Sequence, residues 1–158
     1  MTDFPCCEQM THHESEDGFT PQQPPVSFFI EGTPAPQGSK KAFVVKGRAI
    51  IVDDNKVTLK VWRALVTTGA RAASLRLDEY TGALRVELDI YMPRGKTVKR
   101  ARPSVKPDAD KLTRSVLDGL TDSGIYGDDG QVVSLRVDEW YADLTHPVGV
   151  QIQIGASE

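Results

Sequence analysis

Apolar and polar residues alternate along several stretches of the chain, with the period of two that is typical of a β-strand with one buried face. In the clearest stretch, residues 84–92, every second residue is apolar, and Pro93 ends the pattern. We predict further strands over residues 26–32, 131–141 and 148–154. A hairpin is also predicted, in which "AFVV" and "AIIV" pair across a turn at Lys46 and Gly47.

Two other stretches repeat their apolar residues at spacings of three and four, which is the period of an amphipathic α-helix. The first helix is predicted over about residues 55–77, with one face formed by Val57, Val61, Leu65, Thr68, Ala72 and Leu75. The second is predicted over about residues 110–122, with a face marked by Leu112, Val116 and Leu120 and an end at "DSG".

The order of these elements predicts the fold class. It favours an α/β (α+β) fold, in which a single mixed sheet of about five to six strands is covered by two helices. The 158 residues fit one such domain, which we expect over residues 26–158. Residues 1–25 are rich in Glu, Gln, Thr and Pro, so we expect them to form a disordered acidic leader.

The leader also contains Cys6, Cys7, His12 and His13, which are residue types that bind zinc. They are too crowded for a tetrahedral finger-type site, whose ligand pairs are separated by a dozen or more residues. No stretch approaches the roughly 20 apolar residues that span a bilayer, and no signal peptide is recognisable at the N-terminus. The sequence therefore predicts a cytoplasmic protein without membrane contact.

The charge of the chain is unevenly distributed. The net charge is −3, but residues 1–23 hold five of the 22 acids and none of the 19 bases. Residues 94–107, "RGKTVKRARPSVKP", contain six bases and no acid. We call this stretch the basic segment. Such clustering is typical of a surface that binds a polyanion, although a solvated loop would also explain it.

Two pairs of aspartates flank the second predicted helix. Asp108 and Asp110 lie at its start, where one aspartate is explained as an N-terminal cap. Asp128 and Asp129 lie in "YGDDG", where turns favour Asp. The pairs lie at opposite ends of a helix of about 18 Å, unless the following segment leads back along the helix and brings them together.

Only the second arrangement would make a metal site. A cluster of carboxylate oxygens is what Mg²⁺ or Mn²⁺ requires, and a divalent ion beside a basic surface suits phosphodiester hydrolysis. Arg114 lies four residues from both Asp110 and Asp118, so it either forms an intrahelical ion-pair ladder or stabilises charge on a phosphate. No phosphate-binding loop or dinucleotide fingerprint is present.

The stretch "PDADKLTRSVLDGLTDSGIYGDDGQVV" resembles the signature of the RusA family of Holliday-junction resolvases from bacteria and phages. That signature combines an aspartate pair, D-x-D-[NK]-L, with a helix and a second pair in G-[ILVF]-[WY]-x-D-D-x-Q-V-V. The resemblance extends over about residues 26–154 and includes "IEGTPAPQGS", the strand ending in "YMPRG" and the basic segment.

The resemblance implies a RusA-like nuclease domain with a Mg²⁺ (or Mn²⁺) site. Asp108, Asp110 and Asp129 look like the catalytic metal ligands, and Asp128 like a supporting one. Arg114 stands where the family often has a functional lysine; it keeps the charge but excludes proton transfer.

The resemblance also implies a substrate and a partner. Family members are homodimers that bind four-way DNA junctions and nick two strands symmetrically. The residues expected to contact DNA are Lys96, Lys99, Arg100, Arg102, Lys106 and Lys111, the last standing where the family commonly has Asn.

Three alternatives remain open at the level of sequence. The domain could bind DNA without catalysis, with the aspartates serving as caps and turn residues. It could cut flaps, replication forks or single strands instead of four-way junctions. Its basic segment could also bind an acidic protein.

Overall fold

The computed structural model describes the side chains of residues 23–38 and 56–157, and the backbone alone of residues 40–45 and 48–53. The predicted leader up to residue 22, with Cys6, Cys7, His12 and His13, lies outside the described residues. The predicted hairpin turn at Lys46 and Gly47 lies outside them as well.

The described residues form six strands, two α-helices and one short 3₁₀ turn at Asp129–Gln131. In chain order the elements are β1 (Val26–Glu31), β2 (Lys40–Val45), β3 (Arg48–Asp53), α1 (Lys56–Ala73), β4 (Leu84–Met92), α2 (Ala109–Ser123), β5 (Val132–Tyr141) and β6 (Gly149–Ala156). Each predicted strand and helix is therefore confirmed, with ends within a few residues of the prediction.

The predicted fold class is also confirmed, with a smaller main sheet than expected. Four strands form that sheet in the order β1-β6-β4-β5, with β4 and β5 parallel and the other neighbours antiparallel. Strands β2 and β3 pair only with each other, as an antiparallel hairpin. The prediction of five to six strands in one sheet counted this hairpin as part of the main sheet.

One face of the sheet is covered by the two helices, and the core lies between these layers. The alternation predicted for β4 is confirmed, because its residues from Leu84 to Met92 are buried at every second position. Val150, Ile152 and Ile154 of β6 are buried in the same way. Burial of these apolar side chains is the main favourable term for such a fold.

The predicted face of α1 is the wrong one. Val57 and Leu75 are 79% and 81% exposed, whereas the buried residues of α1 are Trp62, Val66 and Ala70. These also recur at a spacing of four, on a neighbouring side of the helix. Trp62 decides the orientation because an aromatic ring removes far more apolar surface from water than a valine does.

Helix α2 links the parallel strands β4 and β5, which fixes its direction. The connection between two parallel strands must run back along the sheet, so α2 lies antiparallel to β5. Its predicted face is confirmed, since Leu112, Val116 and Leu120 are fully buried. The start of α2 therefore lies towards the end of β5, and its C-terminus leads through Gly124 to the start of β5.

No helix within the described residues has the combination of length and apolar character needed to cross a membrane.

Candidate active site

An open cleft of about 550 Å³ runs between α2 and β5. We call it the α2–β5 cleft. Asp110 and Arg114 line the cleft on the side of α2. Asp129 also lines it, from the 3₁₀ turn that precedes β5. The remaining lining residues are Ala109, Thr113, Leu117, Leu135 and Val137. Three residues of the sequence signature therefore share one concave surface.

Asp110 and Asp129 lie towards opposite ends of this cleft. Asp110 belongs to the first turn of α2, whereas Asp129 follows its C-terminal end and begins the 3₁₀ turn. Tyr126, three residues before Asp129, donates its hydroxyl to the carbonyl of Leu117 at 3.3 Å. Seven residues separate Asp110 from Leu117, a rise of about 10 Å along the helix. The cleft thus follows the helix axis between the two carboxylates.

Asp108 is the N-terminal cap residue by position, but its side chain makes no capping hydrogen bond. Its carboxylate instead accepts a hydrogen bond from the ammonium group of Lys111 at 2.9 Å. The Lys111 ammonium lowers the pKa of Asp108, with a smaller contribution from Lys106. Asp108 is therefore an anion held beside a cation at the start of α2.

Asp128 has a well-defined structural role in the 3₁₀ turn. Its carboxylate accepts a hydrogen bond from the backbone N–H of Gly130 at 2.7 Å. The side chain of Gln131 accepts from the N–H of Asp128 at 3.0 Å, which completes a capping box. This arrangement fixes the turn that presents Asp129, so the local explanation of Asp128 as a turn residue accounts for its contacts.

Arg114 lines the cleft with an exposed side chain. The predicted ladder with Asp118 does not form: Asp118 pairs with Arg63 at 3.4 Å and accepts a hydrogen bond from Gln37 at 2.5 Å. Within the described part of the chain, the Arg114 guanidinium makes no ion pair or hydrogen bond. Its five donors face the cleft and solvent, where they can bind an anion.

Glu139 is a residue that the sequence reasoning missed. It follows Leu135 and Val137 on the helix-facing side of β5 and is level with the buried Ile90 of β4. One of its carboxylate oxygens, Oε2, is buried without a hydrogen-bond partner. Burial, and then the charge of Asp108, raise the pKa of Glu139. The sequence does contain a signal for Glu139, because it is a carboxylate at a position of β5 where the alternating pattern predicts an apolar residue.

The arginines of the basic segment are bound to the end of β5. Arg102 pairs with Asp138 at 3.0 Å and stacks over the ring of Trp140 at 3.6 Å. Arg100 donates to the hydroxyl of Tyr141 at 2.7 Å. Both terminal nitrogens of Arg102 donate to the same oxygen of Asp138, and such donation together with ring stacking suits the planar guanidinium. These contacts hold the segment against the sheet edge and leave less of Arg100 and Arg102 available to DNA.

The lysines of the basic segment are less engaged. Lys96, Lys99 and Lys106 are exposed, and none makes an ion pair or hydrogen bond with the described residues. Lys111, by contrast, is engaged with Asp108. Of the six residues predicted to contact DNA, these three lysines are therefore the ones best able to bind a phosphate, because no existing ion pair or hydrogen bond with the described residues has to break.

Asp108, Asp110 and Asp129 are the predicted metal ligands, with Asp128 in support. Carboxylate oxygens are the donors that Mg²⁺ and Mn²⁺ prefer. However, no three acidic, histidine or cysteine side chains of the described residues form a group that could hold a metal ion. Asp108, Asp110 and Asp129 of one chain thus do not fit a three-carboxylate site, and their role as metal ligands stays a prediction.

A second cleft, of about 580 Å³, lies on the outer side of α1 and is lined partly by basic residues. Arg63 there pairs with Asp122 at 2.6 Å, and Arg71 donates to the carbonyl of Asp122 at 2.9 Å. These contacts join α1 to the C-terminal end of α2. We therefore assign them to helix packing rather than to a site.

Comparisons with known proteins agree with the sequence signature. Residues 31–154 match the family model described as Endodeoxyribonuclease RusA. An uncharacterized protein of Bacillus subtilis (strain 168), YqaN, is 29% identical over 131 residues, which cover 75% of this chain and 89% of that protein. The α2–β5 cleft and the basic segment both lie within the matched range.

Proposed function

The chain belongs to the endodeoxyribonuclease RusA family, and from this premise we propose that it resolves Holliday junctions by hydrolysing phosphodiester bonds. We further propose that it acts as a homodimer with Mg²⁺ or Mn²⁺ as its cofactor and makes paired, symmetric nicks. One observation carries the proposal: the signature residues Asp110, Arg114 and Asp129 line one open cleft, beside a segment rich in unpaired lysines.

The residues of the cleft have distinct roles in the proposed reaction. The Arg114 guanidinium holds the non-bridging oxygens of the scissile phosphate and stabilises the negative charge that grows there during hydrolysis. It stays protonated and so transfers no proton. The carboxylates of Asp110 and Asp129 accept hydrogen bonds from water and can orient it towards the phosphorus.

The basic segment supplies affinity for the DNA backbone. Lys96, Lys99 and Lys106 have ammonium groups that are not committed to other residues, so they can neutralise phosphates and release counterions. Arg100 and Arg102 keep the segment against β5 and add positive charge next to the same path. Backbone contacts of this kind position a duplex without reading its sequence.

The substitution Asp110→Asn tests the proposal, because it removes one negative charge and keeps the shape of the side chain. We expect Mg²⁺-dependent nicking of a four-way junction to fall by about two orders of magnitude or more. Binding of the same junction should remain, since the basic segment is untouched. Asp78→Asn, at an exposed aspartate outside the cleft, is the matched control and should nick normally.

Two outcomes would favour the other readings. Junction binding without any nicking by the wild type would support a DNA-binding module, for which the ion pair of Asp108 and the capping box of Asp128 are sufficient explanations. Unchanged nicking by Asp110→Asn would instead contradict the role of Asp110 in the reaction. Faster cutting of flaps or forks than of four-way junctions of the same sequence would change the substrate.

A further inference from the structure

Four side chains with aromatic rings lie together on the face of the main sheet that points away from the helices. We call Phe29, Tyr91, Trp140 and His146 the aromatic strip. The ring centroids of Phe29 and Tyr91 are 6.2 Å apart, and the rings of Tyr91 and His146 are stacked at 4.8 Å. Tyr91 of β4 and Trp140 of β5 are paired neighbours in the parallel ladder. The strip therefore crosses the sheet from β1 to β5.

The aromatic strip is open to solvent. Phe29 and Trp140 are 36% and 38% exposed, and the side chain of His146 is 49% exposed. Gly149 of β6 lies level with Tyr91, and a Cβ atom at this glycine would lie 2.7 Å from Cζ of the Phe29 ring. The glycine therefore leaves the space that the Phe29 ring occupies. Adjoining exposed rings of this kind mark a surface that recognises a ligand.

Arg102 of the basic segment extends the strip at its β5 end. Its guanidinium carbon lies 3.6 Å from the centroid of the Trp140 ring, and Asp138 accepts hydrogen bonds from both of its terminal nitrogens. These donors are therefore committed to Asp138, whereas the planar group is held over the indole and the side chain is 47% exposed. A guanidinium plane stacks on nucleic-acid bases as an aromatic ring does.

The charges around the strip favour a ligand that presents uncharged rings to the sheet. Three carboxylates border the strip and each is engaged, namely Asp138 by Arg102, Asp89 by the indole N–H of Trp140, and Asp143 by His146. They disfavour a phosphate at the strip itself but not a neutral base. The exposed Lys96 and Lys99 belong to the same segment as Arg102 and can bind the phosphates that join such bases.

We propose that the aromatic strip, together with the stacked Arg102, binds the unpaired bases of single-stranded DNA. Some RNA-binding modules with a four-stranded sheet stack two or three bases on aromatic residues in this way, and the match to an endodeoxyribonuclease family makes DNA the ligand here. A duplex cannot use the strip, because its base faces already stack on one another. The inference goes beyond the proposed nuclease activity, since holding a single strand requires no cleavage.

Binding of two matched oligonucleotides by the full-length protein tests the inference. One is a fluorescently labelled oligothymidylate of about 12 nucleotides, and the other is an abasic strand of the same length, which keeps the phosphates and lacks the bases. Fluorescence anisotropy without divalent metal measures both affinities. Trp140→Ala should weaken binding of oligothymidylate about ten-fold, because it removes one stacking surface. The wild type and Trp140→Ala should bind the abasic strand equally.

Three further variants separate stacking from a structural effect. Trp140→Phe keeps a ring and should retain most of the affinity for oligothymidylate. His146→Ala removes an exposed ring from the loop before β6 and should weaken the binding several-fold, again without an effect on the abasic strand. Leu144→Ala is the matched control, because Leu144 is fully exposed in the same loop and lies outside the strip. Far-ultraviolet circular dichroism checks that each variant is folded.

Tryptophan fluorescence gives a second readout of the same contact. The chain has two tryptophans, and Trp62 is only 1% exposed, so quenching by added oligothymidylate reports on Trp140. We expect the wild type to be quenched by oligothymidylate and not by the abasic strand. An equal loss of affinity for both strands in Trp140→Ala would show that the ring only positions Arg102, and would overturn the inference. Unchanged affinity of Trp140→Ala for oligothymidylate, or no quenching of the wild type, would overturn it as well.

Discussion

Glu139 is a charged residue at a position where the alternating pattern of β5 predicts an apolar one. The alternation of β5 places it on the helix-facing side with Val137, where an apolar residue is expected. Its Oε2 atom is buried without a partner, and Asp108 is close enough for its charge to act on it. Removing a carboxylate from water without a hydrogen bond disfavours its charged form.

The substitution Glu139→Gln should therefore change how stability depends on pH. Since the pKa of Glu139 is raised, the folded chain binds this proton more tightly than the unfolded chain does. The free energy of unfolding then falls as the pH rises through that pKa. Glu139→Gln removes this loss, so the variant should gain stability relative to the wild type between about pH 4 and pH 7.

Urea unfolding at both pH values, at one fixed protein concentration, measures this difference. Glu87→Gln is the matched control, because the Glu87 carboxylate is paired with Arg136 on the other face of the sheet. The raised pKa of Glu139 would be contradicted if the free energies of unfolding of Glu139→Gln and of the wild type changed by the same amount with pH.

The candidate site could be predicted from the sequence in its residue types but not in its geometry. The spacing of Asp108 and Asp110 and the pair at Asp128 and Asp129 identified the acidic residues. The local capping role of Asp128 was also foreseeable, because turns favour aspartate. Whether the pairs meet depends on the direction of α2 relative to β5, which is a property of strand pairing far away in sequence.

At the scale of elements, the sequence predicts where a helix lies better than which side it buries. The stripe through Val57 and Leu65 and the stripe through Trp62 and Val66 both have helical spacing. Counting apolar positions favoured the first stripe, whereas the structure buries the second. The apolar area of each side chain, rather than the number of apolar residues, selects the buried face.

Contact between the two helices depends on a glycine at their crossing. A Cβ atom on Gly119 would lie 2.7 Å from Cγ1 and 2.8 Å from Cβ of Val66. Valine is stiff at χ1 and cannot move aside easily. Overpacking costs about 1–3 kcal/mol, against a helix-propensity gain of about 1 kcal/mol for alanine. Gly119→Ala should therefore lower the free energy of unfolding by up to about 2 kcal/mol.

Chemical unfolding would show this loss as a lower urea midpoint with an unchanged slope. Gly95→Ala serves as the control, because its added Cβ would lie 3.4 Å from a side-chain methyl of Val98, close to an ordinary van der Waals contact. Equal stability of both variants would mean that α1 and α2 can separate without cost.

The lysines of the basic segment should determine how steeply the affinity for DNA falls with salt concentration. If Lys96, Lys99 and Lys106 each neutralise one phosphate, replacing all three with alanine should reduce the slope of log affinity against log salt by about three per subunit. Junction binding measured between about 50 and 200 mM salt gives the slope. Arg76→Ala, at an exposed base outside the segment, should leave it unchanged. An unaltered slope in the triple variant would place the DNA elsewhere.

For the whole molecule, symmetry links the fold to the proposed reaction. A four-way junction has two-fold symmetry, and a two-fold dimer presents two equivalent sites to it. A single chain has one α2–β5 cleft and one basic segment. Release of separate duplexes requires two nicks before the complex dissociates, so the number of intact sites in a dimer determines the product.

A supercoiled plasmid that extrudes a cruciform converts this argument into a prediction. Two nicks within the lifetime of one complex give linear DNA, whereas one nick relaxes the plasmid, removes the cruciform and leaves a nicked circle. The wild-type dimer should therefore produce mainly linear plasmid. A mixed dimer of one wild-type chain and one Asp110→Asn chain retains one intact site and should produce mainly nicked circles. Accumulation of nicked circles by the wild type would show that its two cuts are uncoupled, and would argue against paired nicking by a homodimer.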